Sequence, residues 1–314
     1  MKTLRAAGLA VLLTSATAMA AIDPGLLNLV GSDAKVLTGL QVDQAIVSPF
    51  GQYILSQMQP DDPGFLKFIA ATGFDPRHDL HEILVAGSGS NSAVILGRGT
   101  FNVSQILAAA TAKGGSITLY KTISIMGGGN AGDKGAVAFL NGSTAVIGDL
   151  ASVEATIDRM GASSPSADPG LIQKAQAASL SNQAWFATNT PLSDFLNGKV
   201  NDPNLGNLTQ NNLFQSILQT SGGVNFSNGG VMISADAVTA SNQNAQSLVD
   251  VMKFLVSMVS GNNGQLKSLA DAATFTANGV TAHIALTLTE QQAEQLFTSV
   301  PKPAAAARRN RVVR

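Results

Sequence analysis

The residues best able to do chemistry lie in one octapeptide, Asp75-Pro76-Arg77-His78-Asp79-Leu80-His81-Glu82, which holds two of the chain's three histidines. If that segment is helical, His78 and Glu82 stand four apart and His78 and His81 three apart. One face then offers two imidazoles and a carboxylate to a metal such as zinc. The spacing matches neither H-E-x-x-H nor H-x-x-E-H, the arrangements whose zinc chemistry is understood. The competing expectation is a solvated polar turn before a strand, opened by Asp75-Pro76. His283 joins the set only if the fold carries it there.

Other chemistries find weaker footing. There is no G-x-S-x-G nucleophile motif. Ser32-Asp33-Ala34-Lys35 has the S-x-x-K spacing of penicillin-recognising enzymes, but it precedes an expected strand instead of opening a helix. Ser193-Asp194-Phe195 and Lys121-Thr122-Ile123 each lack a residue of the companion motifs. The glycine-rich run Gly127 to Gly135 has no Lys-Ser/Thr pair and lies between strands, so no helix N-terminus faces an anion. Gly97-Arg98-Gly99 meets Asn102 where a third glycine belongs. Asp61-Asp62 sits in a proline-rich turn and reads as solvated. No catalytic residue and no cofactor is assigned on these grounds.

Composition narrows the field further. Of 314 residues, 45% are hydrophobic and 12% charged, which suffices for a large core. Aromatic residues are 5% of the chain, too few for a stacking surface, and nucleic-acid binding is not expected. Cysteine is absent, which removes disulfides, thiolate metal sites, a cysteine nucleophile and lipobox lipidation. Net charge is −1, unevenly spread. Lys2 and Arg5 lie at the start, and Lys302, Arg308, Arg309, Arg311 and Arg314 near the end. The body between them keeps twelve basic residues against twenty acidic ones, about −8. Its basic tail is expected to be disordered, and Arg308, Arg309, Arg311 and Arg314 have the charge to touch anionic envelope polymers or lipids.

Residues 1–20 fit a secretory signal peptide. Lys2 and Arg5 form the positive region, Ala6 to Leu13 the apolar one, and Ala18-Met19-Ala20 the small-x-small cleavage site. The apolar run is shorter than the about 20 residues a membrane span takes. Cleavage near Ala20 predicts an exported chain, periplasmic or extracellular.

These residues must be held by strands and helices with legible boundaries. Ala34 to Gln41 reads as a first strand. Ser48-Pro49 opens a helix with Ser48 as cap, and a second helix runs from Phe65 to Thr72 and stops at Gly73. Ile83–Ala86 and Ala93–Leu96 form a hairpin around Gly87 to Ser92, followed by a helix that Asn102 caps. Ile117 to Ile125 reads as one long strand with a turn at Gly127 to Gly132. The Asn141-Gly142 hairpin precedes a helix capped by Asp149. Further on come a helix over Leu171 to Leu180, a strand over Gln183 to Thr188, and a strand over Val231 to Thr239. The helix over Asn242 to Ser260 is apolar nearly all round and is expected to be buried on most sides. The chain ends in the Asn278-Gly279 hairpin and a short helix capped by Thr289.

The pattern predicts an α+β fold: antiparallel sheet built from repeated hairpin–helix (ββα) units, helices packed on one face. Expected divisions are the signal peptide (1–20), a first α+β half (21–197), a linker (198–212), a second half (213–300) and the tail (301–314).

The stretch AIDPGLLNLVGSDAKVLTGLQ with its continuation to Met58, the block ATGFDPRHDLHEILVAG, and SADAVTASNQNAQSLVDVMKFLVSMV together resemble a family of uncharacterised exported bacterial proteins. The resemblance implies export and a shared α+β fold, and no activity or catalytic residue comes with it. The leading expectation is an exported, non-catalytic envelope protein that binds a partner or ligand. The alternatives are a secreted hydrolase, metal-dependent through His78, His81 and Glu82, and a carrier of an apolar small molecule.

Overall fold

Four of the described helices begin with an Asp-Pro pair, at Asp23-Pro24, Asp62-Pro63, Asp75-Pro76 and Asp168-Pro169. In each, the aspartate accepts the N–H of a residue in the first turn (Gly25, Phe65, Arg77 and Leu171), while proline fills the first helical position, where no N–H is needed. The computed structural model describes residues 21–57, 62–88, 92–127, 135–191, 215–227, 229–260 and 264–299. The expected leader (1–20), linker (198–212), Gly127–Gly132 turn and tail (301–314) lie wholly or mostly outside these residues.

In chain order, α1 (Pro24–Asn28) leads to β1 (Val36–Gln41), α2 (Val42–Ala45), α3 (Pro49–Gln57), α4 (Pro63–Thr72) and α5 (Pro76–Asp79). Next come β2 (Leu80–Gly87), β3 (Ala93–Gly99), α6 (Val103–Ala112), β4 (Ser116–Tyr120) and β5 (Ile123–Gly127). They are followed by β6 (Gly135–Phe139), β7 (Thr144–Asp149), α7 (Leu150–Asp158), α8 (Pro169–Ser181) and β8 (Ala184–Thr188). The last elements are β9 (Ile217–Ser227), β10 (Gly230–Thr239), α9 (Asn242–Ser260), α10 (Gly264–Ala272), β11 (Ala273–Asn278), β12 (Thr281–Leu288) and α11 (Glu290–Ser299).

The described strands join one 12-stranded antiparallel sheet, ordered β11-β12-β10-β9-β8-β1-β2-β3-β7-β6-β5-β4. Mixed helix with antiparallel sheet is an α+β architecture. A repeated ββα unit is not shown: among the described residues β1 and β8 belong to no hairpin, and the β4–β5 pair leads into β6 without a described helix. The sheet crosses the expected boundary between halves without a break, because β8 pairs with β9 from Ala184↔Val224 to Thr188↔Thr220.

β1 runs through the middle, between β2 and β8. Its Gly39 lies opposite Trp185, and a Cβ there would come within 2.3 Å of the indole. The ring covers the strand backbone, and the largest buried cluster forms around it. That cluster takes Leu26 and Leu27 from α1, Leu37, Leu84, Leu96 and Val146 from four strands, Val153 and Ile157 from α7, and Leu171 and Ala175 from α8. Two smaller clusters serve the other half, one under α9 (Ile217, Leu248, Val249) and one under α11 (Val231, Leu288, Ala293).

The structure corrects three sequence expectations. The long strand over Ile117–Ile125 is two strands: the chain reverses at Tyr120-Lys121-Thr122, with Lys121 at φ 53°. A non-glycine residue in the left-handed region carries no composition signal. Helix α9 is not buried on most sides. Ala245, Leu248 and Val249 face the core, but Phe254 is 62% exposed. No described helix is long and apolar enough to cross a membrane. Finally, His81 and Glu82 belong to strand β2, because α5 ends at Asp79.

Candidate functional site

That last correction dismantles the metal set. A β-bulge at the start of β2 leaves His81 without a partner on β3, since Leu80 pairs with Gly99 and Glu82 with Arg98. Both ring nitrogens of His81 are engaged: Nδ1 lies 3.0 Å from Asp43 Oδ1 and Nε2 lies 3.3 Å from Thr100 Oγ1. Glu82 is 3% exposed and accepts the Asp23 N–H on both oxygens, at 3.2 and 3.3 Å. Arg98 Nε adds a contact at 3.3 Å to Glu82 and one at 3.4 Å to Asp23. His78 remains on α5. His283 is on β12, five strand spacings from β2, roughly 24 Å. There it faces Asp236 of β10 at 2.7 Å. Among the described residues no three metal-ligating side chains cluster.

Asp43, His81 and Thr100 instead line up as carboxylate, imidazole and hydroxyl, an order that sequence spacing did not reveal. An acyl-transfer site also needs N–H donors aimed at the developing oxyanion. Around Thr100 those donors are spent: Gly99 N–H donates to Ser143 O (2.9 Å), Thr100 N–H to Asp79 O (2.7 Å), and Phe101 N–H to Gly142 O (2.8 Å). The row ties α2, the β2 bulge and the end of β3 together. The S-x-x-K tetrad forms a turn before β1 with Ser32 and Lys35 exposed, and Gly97 to Gly99 lie within β3. Asp62 is the cap of α4.

The better-built feature is a half-open cleft of about 230 Å3 between the end of α1, the end of β2 with the start of β3, and helix α7. Its polar end is set by the sequence of α7. Asp149 caps that helix, accepting Ser152 N–H at 2.8 Å, Ser152 Oγ at 3.0 Å and, from the hairpin, Ser92 Oγ at 2.9 Å. These bonds, Ser152 N–H foremost, hold the Asp149 carboxyl below the usual carboxylate range. One carboxylate thereby fixes Ser92, just before β3, to the helix start. Ala86, Ala93, Val94, Leu96 and Ala155 supply apolar walls.

The far end of α7 contributes Arg159. Its Nε donates to Leu29 O at 2.8 Å and its Nη2 to Thr156 Oγ1 at 3.1 Å, which locks the guanidinium plane. Burial pulls the Arg159 pKa below the usual arginine value, against the opposing fields of Asp33 and Asp158. Among the described residues no carboxylate comes within 4.0 Å of it. Arg159 also borders a second cleft of about 260 Å3, shared with Asp23, Arg98 and Asn141. In that second cleft the other arginine, Arg98, is neutralised by Glu82 and Asp23.

Arg159 did not stand out in the sequence, and Asp33 and Ala34 did so only as the middle of the S-x-x-K tetrad. The cleft residues come from segments 29–34, 86–96 and 151–159, and no local spacing links them. The available signal was one arginine following an Asp-capped helix, which reads as ordinary C-terminal charge.

No family model and no curated protein matches the chain. Among solved structures, crystal form III of TP0453 is similar in fold, with a TM-score of 0.54 and 14% identity over 89% of this chain and 99% of that one. Crystal form I of the same protein gives a TM-score of 0.49 at 13% identity, over 90% of this chain and 100% of that one. The likeness to form III extends over nearly the whole of both chains and concerns the fold alone.

Proposed function

We propose that the chain is an exported, non-catalytic binding protein of the bacterial envelope, and that its ligand sits in the cleft beside Arg159. The observation that carries this reading is the Arg159 guanidinium itself. It is partly desolvated, held rigid by two hydrogen bonds, and free of any ion pair among the described residues. A charge withdrawn from water without a partner is costly unless something binds it, and binding sites are where such charges collect. Export rests on the leader pattern. The chain is fixed just downstream of it, with Ile22 N–H on Ser179 Oγ (3.2 Å) and Asp23 N–H on Glu82, whereas Ala21 is exposed. The hydrolase alternative loses support because His81 has neither nitrogen free.

Ala155 is exposed and lines the cleft, so Ala155→Phe fills it without opening the core. The full chain, expressed in a bacterium and recovered from the envelope, is expected to begin at Ala21. It is also expected to carry an extra mass in native mass spectrometry that Ala155→Phe lacks. A bare mass in the wild type, with Ala155→Phe indistinguishable, overturns the cleft as the ligand site.

A further inference from the structure

The Arg159 cleft holds a second charge. Asp33, in the turn between α1 and β1, lines the same cavity, and its carboxylate has no hydrogen bond or ion pair among the described residues. The two groups converge on Gly31. A methyl placed there would lie 2.6 Å from Asp33 Oδ1 and 3.5 Å from Arg159 Nη1. Opposite charges thus flank Gly31, whose missing side chain leaves Asp33 Oδ1 room to lie against the backbone, close enough to feel each other and yet not closed into a salt bridge.

Two features keep them apart. The guanidinium plane is committed to Leu29 O and Thr156 Oγ1, which leaves Nη1 as the edge open to a ligand. Asp33 is exposed on a short turn closed by Ala34 N–H to Gly31 O at 3.2 Å. A guanidinium edge takes a carboxylate and an aspartate takes an ammonium. A ligand bearing both on one carbon satisfies both sides at once. The walls beyond, Ala86, Ala93 and Val94, are small and apolar. The cavity is smaller than the ~300–1,000 Å3 of pockets for drug-sized ligands.

We infer that this cleft binds a small zwitterion, a free α-amino acid with a short aliphatic side chain, its carboxylate on Arg159 Nη1 and its ammonium on Asp33. The inference rests on the cleft being the ligand site. It goes further by naming two opposite charges on the ligand.

The test is calorimetric titration of the mature chain with glycine, L-alanine, L-valine and L-leucine. The best binder is then compared with its amide, which keeps only the ammonium, and its N-acetyl form, which keeps only the carboxylate. Each analogue is expected to bind at least tenfold more weakly than the free amino acid. Asp33→Asn, an exposed substitution that leaves the fold intact, is expected to weaken the amino acid about tenfold and leave the N-acetyl form unchanged. Equal affinity for the amino acid and its N-acetyl form overturns the zwitterion and leaves a simple anion site. No heat from any of the four, in a protein whose native mass shows a retained ligand lost in Ala155→Phe, also overturns the zwitterion alone. No heat and no retained mass overturn both readings.

Discussion

Arg98 and Arg159 line the same second cleft and live by different rules. Arg98 extends from β3 with its side chain 38% exposed, and reaches a Glu82 carboxylate that is itself buried. Its charge is used inside the protein, where it tethers β3 and β2 to the start of the chain through Asp23. Arg159 spends its hydrogen bonds on neutral oxygens and keeps its charge unmatched. The difference separates an arginine that serves folding from one that is available for binding. It also states what each should do when removed.

Arg98→Met should give the larger loss of stability. It leaves Glu82 buried with only a backbone N–H as partner. Breaking a buried pair costs ~3–5 kcal/mol, and solvent around the half-exposed guanidinium brings the expected loss to about 2 kcal/mol. Arg159→Met forfeits two hydrogen bonds to neutral acceptors, about 1 kcal/mol. Denaturant titration in low and high salt separates them, because only the Arg98 variant should lose part of its deficit as salt rises. Equal, salt-independent losses would erase the distinction between the two arginines.

Much of the scaffold behind this contrast was legible. Asp149 and Asn102 cap their helices as their positions implied, and Ser48 Oγ accepts the Gly51 N–H at 3.0 Å. The Asn141-Gly142 and Asn278-Gly279 turns fall at reversals between paired strands. These features are local, and local chemistry is written in adjacent residues. The Asp-Pro pairs at 23, 62 and 168 carry the same signal as the pair at 75 and would have placed α1. The break at Lys121 and the bulge at His81 were not readable, since each depends on strand pairing rather than on residue type. The site was hidden for a stronger reason. Arg159, Asp33 and Ser92 meet only because β3 pairs with β7, not with its sequence neighbour β4, and so brings the start of β3 to α7.

Glu82 offers a finer test of the Arg98 side. Burial raises its pKa, against the lowering effects of the Asp23 N–H and Arg98. A carboxyl whose folded pKa is raised contributes its stability fully below the unfolded pKa and loses it as pH climbs through the folded value. Glu82→Gln mimics the protonated form, so it should match the wild type near about pH 4 and become relatively more stable towards about pH 7. The lowered carboxyls, Asp75, Asp149 and Asp158, act in the opposite sense but are common to both proteins and cancel in the difference. The gain should be smaller than the loss in Arg98→Met. A difference that shrinks with pH would mean that Arg98 and the Asp23 N–H outweigh desolvation.

The smallest effect is the most discriminating. If Asp33 and Arg159 wait for a ligand instead of pairing with each other, they should be almost uncoupled in the free protein. Asp33→Asn alone should move stability by less than about 0.5 kcal/mol, as expected of an exposed residue without partners. Combined with Arg159→Met, the two changes should add, with an interaction term no larger than about 0.5 kcal/mol. The same cycle on Arg98 and Glu82 should give a clear interaction, because Arg98→Met removes the cation of a buried carboxylate and Glu82→Gln removes the need for it. A coupling at Asp33–Arg159 as large as at Glu82–Arg98 would show the pair flanking Gly31 closing into a salt bridge in solution, and the charge assigned to the ligand would belong to the fold. Additivity in the free protein that turns into coupling once an amino acid is bound is the pattern that only a bridging ligand produces.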